Sequence, residues 1–196
     1  MLRLLLPRIA LRDLPPMFGV ALVGAVVAGV YGMLHDQVTY TISPEYFTKL
    51  KFHQFDYADF GFPNRVFVAE VGFLATWWVG FVCAWFLARR MIPGQARPEA
   101  LRKISVGFAI ILGCALLSAS IGFGYGLWRG PGADNSAWEL RLSLLGVERG
   151  WSFIRVAYIH NASYLGGLVG LILALACVRR AGTSEECKLD DATAAG

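Results

Sequence analysis

The stretch that decides the fold is residues 104–128, "ISVGFAIILGCALLSASIGFGYGLW", which holds no charged side chain over 25 positions. A helix rises 1.5 Å per residue, so about 20 apolar residues cross a hydrocarbon core of roughly 30 Å. Backbone groups in lipid must form their hydrogen bonds within the segment, which favours a helix. The stretch therefore predicts one membrane-spanning helix.

Three further segments are equally poor in charge, at 17–34, 66–88 and 156–178. The chain of 196 residues is 56% hydrophobic and 16% charged, with a mean hydropathy of +0.52, whereas soluble domains carry about 25% charged residues. We predict an all-α integral membrane four-helix bundle, a single domain over residues 1–180 that has the lipid bilayer as its partner. The polar segment 181–196, rich in small residues, predicts a disordered tail.

The first apolar segment also has features of a secretory signal peptide. Arg3, Arg8 and Arg12 precede it, as the basic region of a signal would. Its 18 residues exceed a typical signal core, and no clear small-residue cleavage site follows it. We therefore interpret residues 17–34 as a spanning helix.

Basic residues are concentrated on one side of the predicted spans. Segments 1–16, 89–103 and 179–196 hold 11 of the 18 Lys and Arg residues in 49 positions, whereas 35–65 and 129–155 hold 7 in 58. The positive-inside rule then places both termini in the cytoplasm and both long connections outside. This sorting accounts for the net charge of +4 without a nucleic-acid partner.

The four cysteines form no CxxC pair, and none lies in a long connection: Cys83, Cys114, Cys177 and Cys187. This distribution favours neither a disulfide framework nor a thiolate zinc site. Cysteines within membrane helices mostly act as small apolar side chains.

Both long connections are predicted to carry short interfacial helices. In the first, Ser43 suits an N-cap, Pro44 suits a first helical position, and Glu45 suits the positive end of the helix dipole. Segment 44–55 therefore predicts a helix at the membrane surface, with its aromatic rings at headgroup depth. The second connection has three large side chains at helical spacing and predicts another such helix: Trp138, Leu142 and Leu145.

Two sequence offsets indicate a duplicated helix-loop-helix unit. Arg-Val occurs at residues 65–66 and 155–156, and Arg-Arg at 89–90 and 179–180, both 90 positions apart. The first and third spans share Tyr-Gly at an offset of 94, since Tyr31 corresponds to Tyr125. A true repeat would be of the parallel kind, related by an axis along the membrane normal. The alternative is that membrane helices in general carry Arg at their ends.

Small residues recur four positions apart in three of the spans: Gly24, Ala28 and Gly32; Ser118, Gly122 and Gly126; Ala162, Gly166 and Gly170. Such ridges let helix backbones approach closely. They predict tight packing inside the bundle, and the other interpretation is contact between two copies in a homodimer.

Polar residues gather at the outer ends of the predicted spans. Glu70 and His160 each lie five residues beyond an arginine at the start of a span, and His35-Asp36 ends the first span. Ionisable residues inside a membrane helix are costly and usually face a partner, a pathway or a site. The full candidate set is His35, Asp36, Glu45, Glu70, Arg155, His160, Asn161 and Tyr164.

Four of these residues, His35, Asp36, Glu70 and His160, offer nitrogen and oxygen ligands suited to a divalent metal such as zinc or iron. No HExxH motif, Glu-x-x-His motif or i, i+4 histidine pair supports a metal from spacing alone. The same set would also suit a proton relay. In a purely structural interpretation, Glu70 pairs with His160 or with Arg155 across the bundle.

The run "GMLHDQVTYTISPEYFTKLKFHQF", residues 32–55, resembles a motif of small bacterial membrane proteins that have no assigned activity. The segment "RVAYIHNASYLGG", residues 155–167, extends the resemblance. The resemblance implies a bacterial inner-membrane location, and it implies neither a substrate nor catalytic residues.

The leading functional interpretation is a non-enzymatic polytopic membrane protein whose outer polar site binds a cation or a proton, in transport or sensing. A membrane-embedded metalloenzyme that uses the His/Asp/Glu cluster is the first alternative. The second is an accessory or assembly subunit of a larger membrane complex, in which the polar groups only fix packing. Transport by so small a bundle would also require a homodimer.

Overall fold

A computed structural model of the protein describes residues 9–177, and within that range the chain is helical and contains no strand. Four helices are long: α1 (Leu14–Ile42), α3 (Asn64–Met91), α4 (Arg97–Arg129) and α6 (Gly150–Cys177). Two short ones lie in the long connections: the segment 44–54, called α2, and α5 (Ser136–Leu144). The predicted tail at 181–196, with Cys187, lies outside the described residues.

The prediction of four membrane-spanning helices is confirmed. Each long helix is long and apolar enough to cross a bilayer, and its 18-residue apolar window has a mean hydropathy between 1.5 and 2.3. Side chains such as Leu34, Leu117 and Leu165 are more than 60% exposed, as lipid-facing residues of a bundle would be. The protein is therefore a multi-pass membrane protein.

The first helix extends beyond its predicted end at His35-Asp36 and continues to Ile42. Neither proline nor glycine occurs between His35 and Ser43-Pro44, so the polar residues remain helical. Thr39 lies one turn after His35, and its hydroxyl donates to the His35 carbonyl oxygen. The extension keeps His35, Asp36 and Thr39 on one rigid element.

The bundle consists of two tightly packed helix pairs. Helices α1 and α3 pack along their length, as do α4 and α6, whereas contacts between the pairs are few. Glycine permits the close approach in both pairs: a Cβ atom on Gly122 would lie 2.6 Å from the Tyr158 carbonyl oxygen. One on Gly32 would clash with the Gly72 carbonyl oxygen. The small-residue ridges therefore pack within each pair.

The contacts of the two pairs superimpose at a uniform offset of 90 residues, which supports the duplicated unit. The offset of 94 proposed for the first and third spans followed Tyr-Gly identities, and the packing positions do not follow it. Contacts in the first pair and their equivalents in the second are Gly24–Gly80 and Cys114–Gly170, Ala28–Thr76 and Ser118–Gly166, and Gly32–Gly72 and Gly122–Ala162.

The two long connections, 43–63 and 130–149, lie over one end of the bundle, called here the capped end. Helix α2 contains a π-helical turn, Phe47–Lys51, and π-turns are frequent at functional sites. Phe47 is fully buried in an apolar cluster with Tyr46, Phe153 and Val156. Trp138 and Leu142 of α5 pack against the same cluster, so both connections contribute to the cap.

The opposite end of the bundle is closed by a short turn around residues 92–96 and by a purely apolar cluster. Helices α1, α3 and α6 meet there through Met17, Leu87, Met91 and Ala174, and Ile104 adds α4. Each of the first four is fully buried. Asp36, Thr39 and His160, which are buried polar residues, do not belong to this cluster.

Candidate metal centre at the capped end

Three potential metal ligands meet where α1 and α6 approach each other beneath the cap. One ligand atom from each of His35, Asp36 and His160 lies within 4.8 Å of the other two. The imidazole rings of His35 and His160 are 4.9 Å apart at an interplanar angle of 85°. Asp36 Oδ1 lies 3.7 Å from His160 Nε2. Two nitrogen ligands and one carboxylate therefore converge on one point.

Thr39 lies beside the cluster and orients one of its ligands. Its Oγ1 is 3.2 Å from His160 Nε2. The same hydroxyl donates to the carbonyl oxygens of His35 and Asp36, one turn earlier on α1. A hydroxyl has one proton, so with that proton on a carbonyl the Thr39 oxygen is free to accept from a protonated His160 Nε2. The nitrogen must lose this proton before it can ligate a metal.

Tyr31 and Ser163 form a second polar contact between α1 and α6. Their hydroxyl oxygens are 2.9 Å apart, and the Tyr31 hydroxyl is also 3.5 Å from His35 Nδ1. The other ring nitrogen, His35 Nε2, is buried and has no hydrogen-bond partner within the described residues. A buried nitrogen without a partner is costly, and a ligand or ion would satisfy it.

The cap closes the cluster on the side of the connections. Asp36 and His160 are each 4% exposed, and Thr39 and Ser43 are 1% exposed. The Tyr46 ring stacks on His160 with centroids 5.0 Å apart, and Phe47 approaches the same imidazole at 6.2 Å. The aromatic residues of α2 therefore shield the cluster from water.

The electrostatic environment of the cluster includes one cation of the cap, Lys51 at the end of the π-turn. Burial lowers the pKa of Lys51, and the nearby Asp36 carboxylate offsets part of this effect because it favours the charged amine. Burial also raises the pKa of the Tyr46 phenol above its usual range. The cap thus presents an uncharged phenol and a partly desolvated amine to a buried carboxylate.

A cavity of about 80 Å³ extends from the cluster between all four long helices. One water requires roughly 10–15 Å³ on this measure, so the cavity holds an ion with several waters. Near the cluster its walls are polar, with Tyr31, Ser163 and Tyr164, and further along they are apolar, with Cys83 and Ile111. The polar end is the one that contains the three ligands.

The structure does not place Glu70 with the three ligands, which corrects the predicted four-residue metal set. Glu70 lines a separate groove of about 400 Å³, beside Met33 and Phe73. Its Oε2 atom is buried without a hydrogen-bond partner in the described part of the chain. On α3 it projects away from the central cavity, so neither His160 nor a metal at the cluster contacts it.

Glu45, a member of the predicted polar set, has a structural position in the cap. Its carboxylate accepts hydrogen bonds from the backbone N–H groups of Glu148, at 3.1 Å, and Arg149, at 2.8 Å. These groups immediately precede α6, where a negative charge is favourable. Glu45 therefore ties α2 to the second connection.

Arg155 makes contacts other than the predicted ion pair with Glu70. Its guanidinium lies 4.5 Å from the Trp151 ring centroid and 5.6 Å from that of Phe123. Such cation–π contacts stabilise an arginine near a membrane interface. Asn161 is exposed, whereas Tyr164 lines the cavity with its ring 6.5 Å from His160.

Sequence reasoning missed Tyr31, Thr39 and Lys51. A sequence signal existed for two of them, because Tyr31, His35 and Thr39 are spaced four residues apart and share one helix face. Lys51 gave no such signal, since its position depends on how the connection folds back over α1.

The chain matches no protein-family model, and neither a curated protein nor a solved structure matches it. The site geometry and the helix arrangement therefore carry the functional argument on their own.

Proposed function

We propose that this chain is a polytopic membrane protein that holds a divalent transition-metal ion between His35, Asp36 and His160. The proposal is carried by the convergence of three ligand atoms within 4.8 Å of one another beneath the cap. Zinc binds imidazole nitrogen and carboxylate oxygen at about 2.0–2.2 Å. Small side-chain rotations would bring the three atoms to such distances.

The donor set has a defined chemistry. Two histidines and one carboxylate form the ligand set of non-haem Fe(II) sites with open coordination positions, and three protein ligands with one open position are typical of catalytic zinc. A purely structural zinc site would have four protein ligands. The set therefore favours an ion that retains a position for a further ligand.

The energetics of Asp36 also favour a bound cation. A carboxylate that is 4% exposed within a helix bundle loses most of its hydration, and a buried charge requires compensation. The neighbouring His160 lies 3.7 Å away and carries a charge only when protonated, and the Lys51 amine of the cap is itself partly desolvated. A divalent ion would neutralise Asp36 and also satisfy the free His35 Nε2.

Closure of the site favours a resident ion over one in transit. The aromatic cap lies directly over His160, and the apolar cluster closes the other end of the bundle. Among the predicted functions, this arrangement favours a metal-dependent activity or metal sensing over cation transport. The assembly role is the remaining alternative, and it requires no metal.

We also propose that the protein lies in a bacterial inner membrane with both termini in the cytoplasm and the capped end outside. The distribution of Lys and Arg supports this orientation through the positive-inside rule. The resemblance of residues 32–55 to small bacterial membrane proteins supports the location.

Metal content tests the proposed function. Full-length protein purified in detergent is dialysed against Zn²⁺, or against Fe²⁺ without oxygen, and its metal is measured by ICP-MS. We expect about one ion per chain in the wild type, and loss of that ion in Asp36→Asn and His160→Ala. His53→Ala is the matched control, because His53 is an exposed histidine of α2 that lies outside the cluster.

Glu70→Gln provides a second control, since the structure separates Glu70 from the cluster. Its metal content should equal that of the wild type. A wild-type protein that binds no metal under either condition contradicts the proposal. If His160→Ala then also fails to fold, the cluster fixes packing, as the assembly interpretation requires.

A further inference from the structure

The seam between α1 and α4 is open to the lipid phase. The two helices belong to different pairs, and contacts between the pairs are few. Two grooves lie along the seam: one of about 490 Å³ near the capped end and one of about 550 Å³ towards the other end. Exposed apolar side chains, such as Val23, Leu34 and Leu116, border the grooves.

The two grooves differ in the polar side chains that they contain. The groove near the capped end contains four polar side chains among apolar ones: Tyr31, His35, Thr39 and Ser120. The other groove has Ser105 as its one polar side chain, among apolar residues such as Val20 and Phe108. An amphipathic molecule with one oxygen-containing head and one chain matches this gradient.

His35 connects the seam to the candidate metal centre. It lines both the groove of 490 Å³ and the central cavity. Asp36 and His160, by contrast, line the central cavity but not the groove. Because the cap shields the cluster from the water side, the groove is the approach to His35 that leads from the lipid.

The seam has the length needed for a membrane-lipid chain. Along α1, His35 and Val20 are 15 residues apart, which corresponds to about 22 Å at 1.5 Å per residue. That length exceeds half of a hydrocarbon core of roughly 30 Å. A single extended chain would therefore fit beside α1 with its head at His35.

We propose that the α1–α4 seam binds a single-chain amphiphile from the lipid phase, with a carbonyl-type oxygen head at Tyr31 and His35 and its chain along the second groove. The position of the chain and head is independent of any metal. The oxygen head would also take the open coordination position of the ion. This second part rests on the proposed function, and it identifies single-chain amphiphiles as the substrate class of the metal site.

Photo-crosslinking in lipid nanodiscs tests the seam. The probe is a sixteen-carbon methyl ketone with a mid-chain diazirine, used on the full-length protein, and labelled peptides are mapped by mass spectrometry. We expect saturable labelling of α1 and α4 residues beside the grooves, and about tenfold better competition by hexadecan-2-one than by hexadecane. Equal competition by the two would mean annular lipid and would overturn the proposal.

Two tryptophan variants of α4 sharpen the test. Leu116→Trp places an indole in the groove, whereas Leu117→Trp is the matched control, since Leu117 is exposed but does not line the groove. Labelling should fall at least about fivefold in the first and less than twofold in the second. Equal labelling of both variants, or crosslinks between two copies at the seam, would overturn the proposal.

Metal dependence separates this inference from the proposed function. Leu116→Trp should retain its ion by ICP-MS, because no metal ligand is changed. In metal-loaded protein, hexadecan-2-one should compete about tenfold better than in protein stripped with EDTA. Equal competition in both overturns contact between head and metal, while absence of metal in the wild type overturns only the proposed function.

Discussion

The two helix pairs have the same packing and different chemistry. At an offset of 90 residues, Gly32 of the first pair corresponds to Gly122 of the second, and both permit close backbone contact. The polar residues do not repeat: the equivalents of Tyr31, His35 and Asp36 are Ile121, Tyr125 and Gly126. Small residues at the contact are thus what the two units share.

This difference explains why the bundle contains one cluster of potential ligands in its described part. His160 of α6 meets His35 and Asp36, whereas its equivalent in the first unit is Glu70. The residues that would complete a second cluster with Glu70 are Tyr125 and Gly126, which provide no carboxylate or imidazole. Duplication of a helix pair therefore does not duplicate a site that is formed between units.

The largest expected effect concerns the two long connections, which differ in burial. Phe47 in α2 is fully buried, whereas α5 has no buried residue. Phe47→Ala should lower the free energy of unfolding by about 3–5 kcal/mol, because it leaves a cavity beneath the cap. The matched change Leu140→Ala, at a side chain that is 74% exposed, should cost less than about 0.5 kcal/mol.

Reversible unfolding in mixed micelles, followed by circular dichroism, measures both variants. Equal losses in the two would show that α2 is no more integral to the fold than α5. The comparison between the connections would then be wrong.

The next effect tests whether the two pairs pack alike. Gly32→Ala and Gly122→Ala should each destabilise the protein by about 1–3 kcal/mol, since the added methyl group meets backbone oxygen in both. Gly113→Ala is the control, because a Cβ atom there has no neighbour within 4 Å. It should be neutral or stabilising, as alanine favours a helix over glycine.

Thermal unfolding in one detergent compares the three glycine variants. If only one of the two contact glycines were sensitive, the pairs would not share a packing register. The offset of 90 residues would then lose its support.

The smallest expected effect concerns the contact between the two connections. Glu45→Gln should weaken the hydrogen bonds to the Glu148 and Arg149 N–H groups and cost about 1 kcal/mol. Hydrogen exchange of residues 145–150 should accelerate severalfold, with little change at the opposite end of the bundle. Glu148→Gln should leave exchange unchanged, because Glu148 contributes its backbone N–H.

The long helices could be predicted because apolar length alone specifies a membrane span. The end of α1 could not be placed by hydropathy, since the helix continues through polar residues until Ser43-Pro44. Which α1 residues share a face follows from spacing, so Tyr31 and Thr39 were within reach of sequence reasoning. The separation of Glu70 from His160 could not be predicted from the sequence, because it depends on how one helix pair is rotated against the other.

The position of His160 late in the chain has a consequence for biogenesis. Thr39 and His160 are 121 residues apart, and chains grow at about 5–20 residues per second. Asp36 precedes His160 by 124 residues, so it enters the bilayer roughly 6–25 s before the last helix can provide its partner. During co-translational insertion the first hairpin must keep this carboxyl protonated, or hold it near the headgroups, until translation of the final helix completes the cluster.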